Sequence, residues 1–304
     1  MGKLAFIFPG QGSQYVGMGK AFYENYACAK EVYEIAEKAS GVDLKNICFE
    51  ENEQINQTEY TQIAMFTTEV AILKVIEELG FKADVTAGLS LGEYAALAAA
   101  KVLPLEDLCA LVRKRGMYMQ NAYPTGGAMA AILALDIETT EKICAQTEGV
   151  VGIANYNCPG QLVISGEEAA VSVAMEKLKE AGAKRCIALN VSGPFHSPLL
   201  KKAADQLAEA LEGLTLNDPA IPYYSNVEAT YVTDKGPIKE LLPKQVISSV
   251  RFQQSLEKMI ESGVDTFIEI GPGRTLSGFL SKISKEVKVV NIDKLEDLDK
   301  LKEL

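Results

Sequence analysis

Five residues, Gly88-Leu89-Ser90-Leu91-Gly92, set a serine between two glycines at the spacing of a nucleophile elbow. In such a turn the serine sits on a strained bend between a strand and a helix. The flanking glycines let backbone pass close by without a Cβ clash. The chemistry this serves is acyl transfer, in which the hydroxyl attacks a carbonyl carbon and carries the acyl group as an ester. Val85-Thr86-Ala87 reads as a brief strand before the turn, and Glu93 to Ala100 as an Ala-rich helix after it. The N-terminus of that helix brings partial positive charge to where an oxyanion would form.

A serine hydroxyl at its ordinary pKa is a poor nucleophile and needs a base. The chain has one histidine, His196, in the loop Ser192-Gly193-Pro194-Phe195-His196-Ser197-Pro198, where two prolines and a glycine fix the backbone. An orienting acid is not evident. In the order serine, acid, histidine, the window holds only Asp107 and Asp136 as aspartates, at a helix start and a strand end. The reading is a Ser-His dyad. A thiol, with a pKa of about 8.5, leaves far more easily than an amine, so a dyad suits thioesters better than peptides.

Other motifs carry less. Gly10-Gln11-Gly12 fails as a dinucleotide loop, because Tyr15 stands where G-x-G-x-x-G needs its last glycine. Arg115 ends the run Arg113-Lys114-Arg115, which reads as a solvated helix face. The alternative is a planar fork that pairs bidentately with a carboxylate and keeps its charge in a dry site.

Composition bounds the setting. The chain has 304 residues, 48% hydrophobic and 23% charged, which sets disorder aside and allows one large domain or a domain with an insertion. A formal charge of -11 gives no overall attraction to nucleic acid or an anionic membrane, so an acidic partner must find a local basic patch. The six cysteines are far apart, with no CxxC, and one histidine is too few for a His-rich site, so no metal is expected. Such cysteines suit a reducing compartment. The first apolar run, Leu4 to Phe8, stops at Pro9 and is too short for a leader or a span, and Phe6 stands where a myristoylation signal wants Ser or Thr. A soluble cytoplasmic protein is expected.

The elements that must position the serine follow from periodicity. Leu4 to Phe8 reads as a buried strand, then a glycine turn and a helix from about Met18 to Ala39. A helix is predicted over Thr61 to Leu79 and another from Pro104 through Met119. Between about Thr125 and Val191 the pattern changes. Strands at 128–135, 150–156, 161–166 and 184–191 alternate with helices at 137–147 and 168–181, the β-α-β-β-α-β order of a ferredoxin-like unit. This predicts an α/β protein with residues 125–191 inserted as a small subdomain into a large domain of 1–124 and 192–304, leaving a cleft at the junction. Beyond Pro198 come a helix to about Gly213, a strand at 221–226, helices at about 236–242 and 250–262, and a strand at 266–270 ending in Gly271-Pro272-Gly273. A strand at 287–292 and a charged helix close the chain.

In these segments the chain resembles the malonyl-CoA:acyl carrier protein transacylase family. The likeness runs from Phe8-Pro9-Gly10-Gln11-Gly12-Ser13-Gln14 through the Ser90 turn, Arg115-Gly116 with Met119-Gln120, and Gly127-Ala128-Met129-Ala130. It continues in Asn157-Cys158-Pro159-Gly160-Gln161, Phe195-His196-Ser197 and Glu269-Ile270-Gly271-Pro272-Gly273, in order and over nearly the whole chain. The resemblance implies a hydrolase-like parallel-sheet core with a ferredoxin-like insert. It implies ping-pong transfer of malonyl from malonyl-CoA to the phosphopantetheine thiol of acyl carrier protein in fatty acid biosynthesis, with no metal or redox cofactor. It also implies roles: Ser90 as nucleophile, His196 as base, the N–H groups of Gln11 and Leu91 as oxyanion hole, Arg115 on the malonyl carboxylate and Gln62 lining the pocket. Arg251 would orient the histidine through its carbonyl. Two positions depart from the family, Leu89 where histidine is usual and Ile63 in place of a proline.

The ring of Phe195 beside His196 leaves little room on the acyl α-carbon, which favours malonyl over methylmalonyl. Lys184, Arg185, Lys201 and Lys202 are the cations expected to receive an acidic carrier protein, the alternative being ordinary surface charge. Two other functions share parts of the pattern. A serine acyl hydrolase would use Ser90 and His196 but has no use for a buried Arg115, and an inactive docking module would not need all three residues.

Overall fold

The computed structural model describes residues 2–191 and 193–304; the boundary expected at Ser192 and the residue itself lie outside them, as does Met1. The chain opens with β1 (Lys3–Phe8), then α1 (Lys20–Asn25), α2 (Ala27–Ser40), α3 (Leu44–Phe49) and the long α4 (Thr58–Glu78), followed by β2 (Val85–Gly88), α5 (Gly92–Ala99) and α6 (Leu105–Ala122). The middle runs β3 (Gly127–Leu133), α7 (Ile137–Ala145), β4 (Val151–Cys158), β5 (Gln161–Glu167), α8 (Glu168–Glu180) and β6 (Arg185–Ala188). The last third holds α9 (Lys201–Glu212), β7 (Tyr223–Tyr224), β8 (Tyr231–Val232), α10 (Ile238–Ile247), α11 (Phe252–Glu261), β9 (Val264–Ile270), α12 (Thr275–Ile283) and β10 (Lys288–Ile292).

The first sheet has the order β10-β9-β1-β2-β7-β8 and is parallel except for the final pair. Its central strand β1 reads as a continuous apolar run from Leu4 to Phe8 because helices cover both faces. Alternate residues of β1 go to opposite sides: Phe6 and Phe8 join α4, α5 and α6, while Ala5 and Ile7 join α11 and α12. The second sheet is antiparallel with the order β4-β5-β3-β6, and α7 and α8 close a core of its own. The two are stitched where β4 meets the segment before α11, through Tyr156 N to Val250 O at 2.9 Å and Val250 N to Ala154 O at 2.8 Å. Among the described residues no helix is long and apolar enough to cross a membrane.

Several expected elements change their limits. The helix predicted from Met18 to Ala39 is broken at Tyr26, whose extended backbone separates α1 from α2. The strand expected at 221–226 shrinks to β7, and Asn226 leaves the sheet to bond the serine turn instead. The helix expected to stop at 242, before Pro243, runs on to Ile247 with the proline inside it. The closing charged helix is a 3₁₀ segment, Leu295–Glu303.

Candidate active site

The register of the central strands places the site. Phe8 pairs with Gly88, so the loops leaving β1 and β2 emerge side by side at the carboxyl edge of the sheet. The chain then reverses at Ser90, which takes φ 53° and delivers the backbone into α5. Both glycines of the motif are required by contact. A Cβ on Gly88 would lie 2.0 Å from the Gly92 carbonyl, and one on Gly92 would lie 2.2 Å from Phe8 O. Asn226 clamps the bend, with Oδ1 accepting from Ser90 N at 2.7 Å and Nδ2 donating to Gly88 O at 2.7 Å.

His196, also at positive φ (58°), comes from the loop after β6. Its Nε2 lies 2.7 Å from Ser90 Oγ, and its Nδ1 lies 2.8 Å from the main-chain oxygen of Gln245. A carbonyl only accepts, so Nδ1 carries the ring hydrogen and Nε2 presents a lone pair to the serine hydroxyl. Burial, and then the nearby Arg115 cation, lower the imidazole pKa to about 4, so the ring is neutral at physiological pH. The Arg251 expectation is therefore corrected. The Arg251 carbonyl accepts from Ser255 N and Oγ, both at 3.0 Å, in the first turn of α11, and its guanidinium lies 5.5 Å from the Tyr156 ring centre. The carbonyl that orients the histidine belongs to Gln245.

Arg115 is no solvated helix face: it is 1% exposed. Its Nη1 donates to Gln62 Oε1 at 2.7 Å, and its Nη2 to Gln245 Oε1 at 2.9 Å and Ser90 Oγ at 3.3 Å. Its guanidinium lies 5.1 Å from the centre of the Tyr94 ring, a cation–π contact. These partners are all neutral, whereas Arg113, two residues earlier, pairs with Glu59 at 2.8 Å. Burial lowers the Arg115 pKa, but a guanidinium starts so high that it stays charged. Among the described residues the fork is thus held by two amides and a hydroxyl, with no carboxylate of the protein bonded to it.

A cavity of about 250 Å³ opens onto the serine. Its wall includes Gln11, Gln62, Ser90, Leu91, Phe195 and His196, together with Leu89 and, from the second sheet, Asn155, Asn157 and Gln161. Arg115 is not part of the wall and meets the serine only through its Nη2. Gly10 packs so tightly on the turn that a Cβ there would lie 2.7 Å from Leu89 O, so the loop that carries Gln11 lies directly against the serine turn. Among the described residues neither N–H donates to a protein acceptor. Among the described residues, too, no group of three or more His, Cys, Asp or Glu could hold a metal ion.

Sequence reasoning missed Asn226, Gln245 and Glu93. Glu93 Oε2 accepts from Gln245 Nε2 at 2.5 Å and Asn226 N at 3.3 Å, joining the three into one buried network. Only Glu93 had a signal, as an acid in the first turn of the helix behind Ser90.

Comparison with known proteins agrees with this geometry. Residues 5–296 match the acyl transferase domain family. A malonyl CoA-acyl carrier protein transacylase of Bacillus subtilis is 46% identical over 304 residues, covering 98% of this chain and 96% of the relative. The crystal structure of the malonyl CoA-acyl carrier protein transacylase from Clostridium perfringens superposes with a TM-score of 0.95 at 46% identity, covering 99% and 96% of the two chains. A malonyl-transacylase solved in complex with its type II PKS acyl-carrier protein superposes with a TM-score of 0.95 at 37% identity, covering 99% of each chain. With the serine turn, its histidine and the buried arginine in place, the chain belongs to the acyl transferase family and, within it, to the malonyl CoA-acyl carrier protein transacylases.

Proposed function

We propose that this chain transfers the malonyl group from malonyl-CoA to the phosphopantetheine thiol of acyl carrier protein, in fatty acid biosynthesis, through a malonyl ester on Ser90. The observation that carries this reading is the convergence on one hydroxyl of a neutral base, His196 Nε2 at 2.7 Å, and a buried cation, Arg115 Nη2 at 3.3 Å.

In the first half-reaction Ser90 Oγ attacks the thioester carbon as Nε2 takes its proton, and the Gln245 carbonyl stabilises the imidazolium through Nδ1–H. The N–H groups of Gln11 and Leu91 receive the oxyanion, and the CoA thiolate leaves with the proton from Nε2. In the second half His196 removes the proton of the carrier's pantetheine thiol, whose sulfur attacks the ester and frees Ser90. Arg115 holds the malonyl carboxylate bidentately, Gln62 lines the pocket beside it, and Phe195 crowds the α-carbon against a methyl branch. No step calls on a metal or redox cofactor.

The βαββαβ order and the 2-3-1-4 arrangement of its four strands support a ferredoxin-like insert at 125–191 within a hydrolase-like core of 1–124 and 192–304. Lys184 and Arg185 are exposed at the start of β6, which leads to Leu189 on the cavity wall, and suit an acidic carrier; Lys202 is exposed beyond His196, whereas Lys201 pairs with Asp205. A cytoplasmic setting fits free, scattered cysteines.

Intact mass after mixing with malonyl-CoA tests the reading. A malonyl adduct is expected on wild type, none on Ser90→Ala and little on Arg115→Ala, and added carrier protein should discharge the adduct as malonyl-carrier. Discharge as free malonate at the same rate with and without carrier would identify a hydrolase instead.

A further inference from the structure

Glu93 is 1% exposed, three residues beyond the reacting serine, and the function proposed above does not use it. The residue that receives it, Gln245, also bonds the serine, the arginine and the histidine of the site. Gln245 Nε2 donates to Glu93 Oε2 at 2.5 Å and to Ser90 O at 2.9 Å, its Oε1 accepts from Arg115 Nη2 at 2.9 Å, and its main-chain oxygen holds His196 Nδ1. A buried carboxyl and a buried guanidinium therefore share one amide without touching each other.

The titratable groups around Glu93 are Arg115 on α6, Tyr94 on its own helix and Tyr223 on β7, with His196 on the far side of Gln245. The buried acid of α4, Glu69, packs towards Gly271 instead. The tyrosines are pushed further up by burial and the imidazole is neutral, which leaves one cation, Arg115, and one candidate anion, Glu93. A malonyl carboxylate on Arg115 adds a second anion to a site with a single cation. Low dielectric makes that excess charge costly unless one carboxylate is neutralised.

We propose that Glu93 is a positioning residue, acting through Gln245 as the resident counter-charge of Arg115, and that it takes up a proton from solvent when a carboxylated acyl group binds that arginine. The inference rests on the proposed function. Burial raises the Glu93 carboxyl to about 7, against the hydrogen bonds from Gln245 and Asn226 and the pull of Arg115, so this proton exchanges at neutral pH. Substrate carboxylate and Glu93 thus compete for one positive charge, and malonyl binding weakens as pH rises through 7. A neutral acyl group sets up no such competition.

Calorimetry of malonyl-CoA and acetyl-CoA binding to the Ser90→Ala protein, in two buffers of different ionisation heat at pH 7.5, counts the protons. Acetyl-CoA carries the same phosphates, so only the excess for malonyl-CoA matters. A fractional proton uptake in excess of acetyl-CoA is expected, with the malonyl-CoA Kd rising roughly tenfold relative to acetyl-CoA between pH 6 and 9, the equivalent of about one pKa unit. Glu93→Gln on the same background keeps an oxygen for Gln245 and should abolish the excess while retaining malonyl-CoA affinity at pH 6. Glu93→Asp, a second variant, should keep the excess and move its midpoint. Equal proton counts for the two esters, or an excess that survives Glu93→Gln, overturns the proposal. A malonyl adduct on wild-type Ser90 without any proton excess defeats the Glu93 role alone, whereas no adduct defeats the function on which it rests.

Discussion

Ser90 Oγ and His196 Nε2 lie 2.7 Å apart, and both residues hold left-handed backbone, at φ 53° and 58°. Neither is glycine, so each conformation costs of order 1–2 kcal/mol and persists only because its surroundings enforce it. At Ser90 the enforcement is visible: Asn226 bonds the backbone on both sides of the bend, and Gln245 Nε2 holds Ser90 O. The distance between nucleophile and base is thus set by main chain, and it is sensitive to side chains that touch neither reacting atom.

Removing the clamp tests this. Asn226→Ala leaves Ser90 N and Gly88 O without these partners inside the protein, a loss of about 2–4 kcal/mol for two buried bonds. Denaturant unfolding should show that loss. Single-turnover acylation, measured where the variant is still folded, should slow as the elbow relaxes; an unchanged rate would mean the turn holds itself.

The glycines make a steric prediction. A Cβ at position 92 would sit 2.2 Å from Phe8 O and 2.6 Å from Pro9 O, both main-chain atoms of the strand end that carries Gln11. Gly92→Ala must therefore part β1 from α5, at a cost of about 3 kcal/mol, the upper end of the scale for overpacked cores. Thermal melting reads it. Ala at Gly213, where nothing lies within 4 Å, is the control and should leave the melting temperature nearly unchanged.

The histidine predicts an unusual acid limb. With the imidazole held to about 4, the acid limb of kcat/KM for acylation should rise with pH through about 4 and be complete by pH 6, below the range in which Glu93 ionises, in rapid-mixing measurements that outrun acid unfolding. A limb centred on 6.5 would mean the base is exposed. Stability moves the same way. The folded pKa lies below the unfolded value of 6.5, so between 6.5 and 4 the unfolded chain binds more protons and stability falls as pH drops, by up to about 3 kcal/mol from this group.

Much of this site was legible because its residue types are few and its strands are bounded. One histidine, one G-x-S-x-G and an apolar run ending at Pro9 leave little choice of base, nucleophile or first strand. Arg115 was ambiguous, since a basic run on a helix does not reveal which of its members turns inward. Gln245 was out of reach for two physical reasons. Pro243 lacks the N–H that would continue the helical ladder, so the predicted helix stops at 242, whereas α10 tolerates the proline and carries Gln245 into the site. Its contact with His196 is also made by a main-chain carbonyl, which every residue has. The same anonymity misdirected the expectation to Arg251, whose carbonyl is taken up by Ser255.

Glu69 gives a prediction of the opposite sign. It lies on α4, wholly buried, and neither carboxyl oxygen has a hydrogen-bond partner among the described residues. Gly271 leaves room for it, since a Cβ there would fall 2.8 Å from Glu69 Cγ. Burial raises its pKa well above the ordinary 4.5, so the folded chain keeps the proton while the unfolded chain releases it. Above pH 4.5 the folded state therefore binds more protons, and wild-type stability declines as pH rises towards the folded pKa. Glu69→Met fills similar space with a flexible apolar chain and removes that linkage. The variant should be more stable than wild type by about 1–3 kcal/mol at pH 8, with a smaller gain at pH 5, and should acylate at the wild-type rate. Urea melts at the two pH values decide it: a gain that shrinks with rising pH, or a net loss at pH 8, would mean that the carboxylate is solvated within the fold.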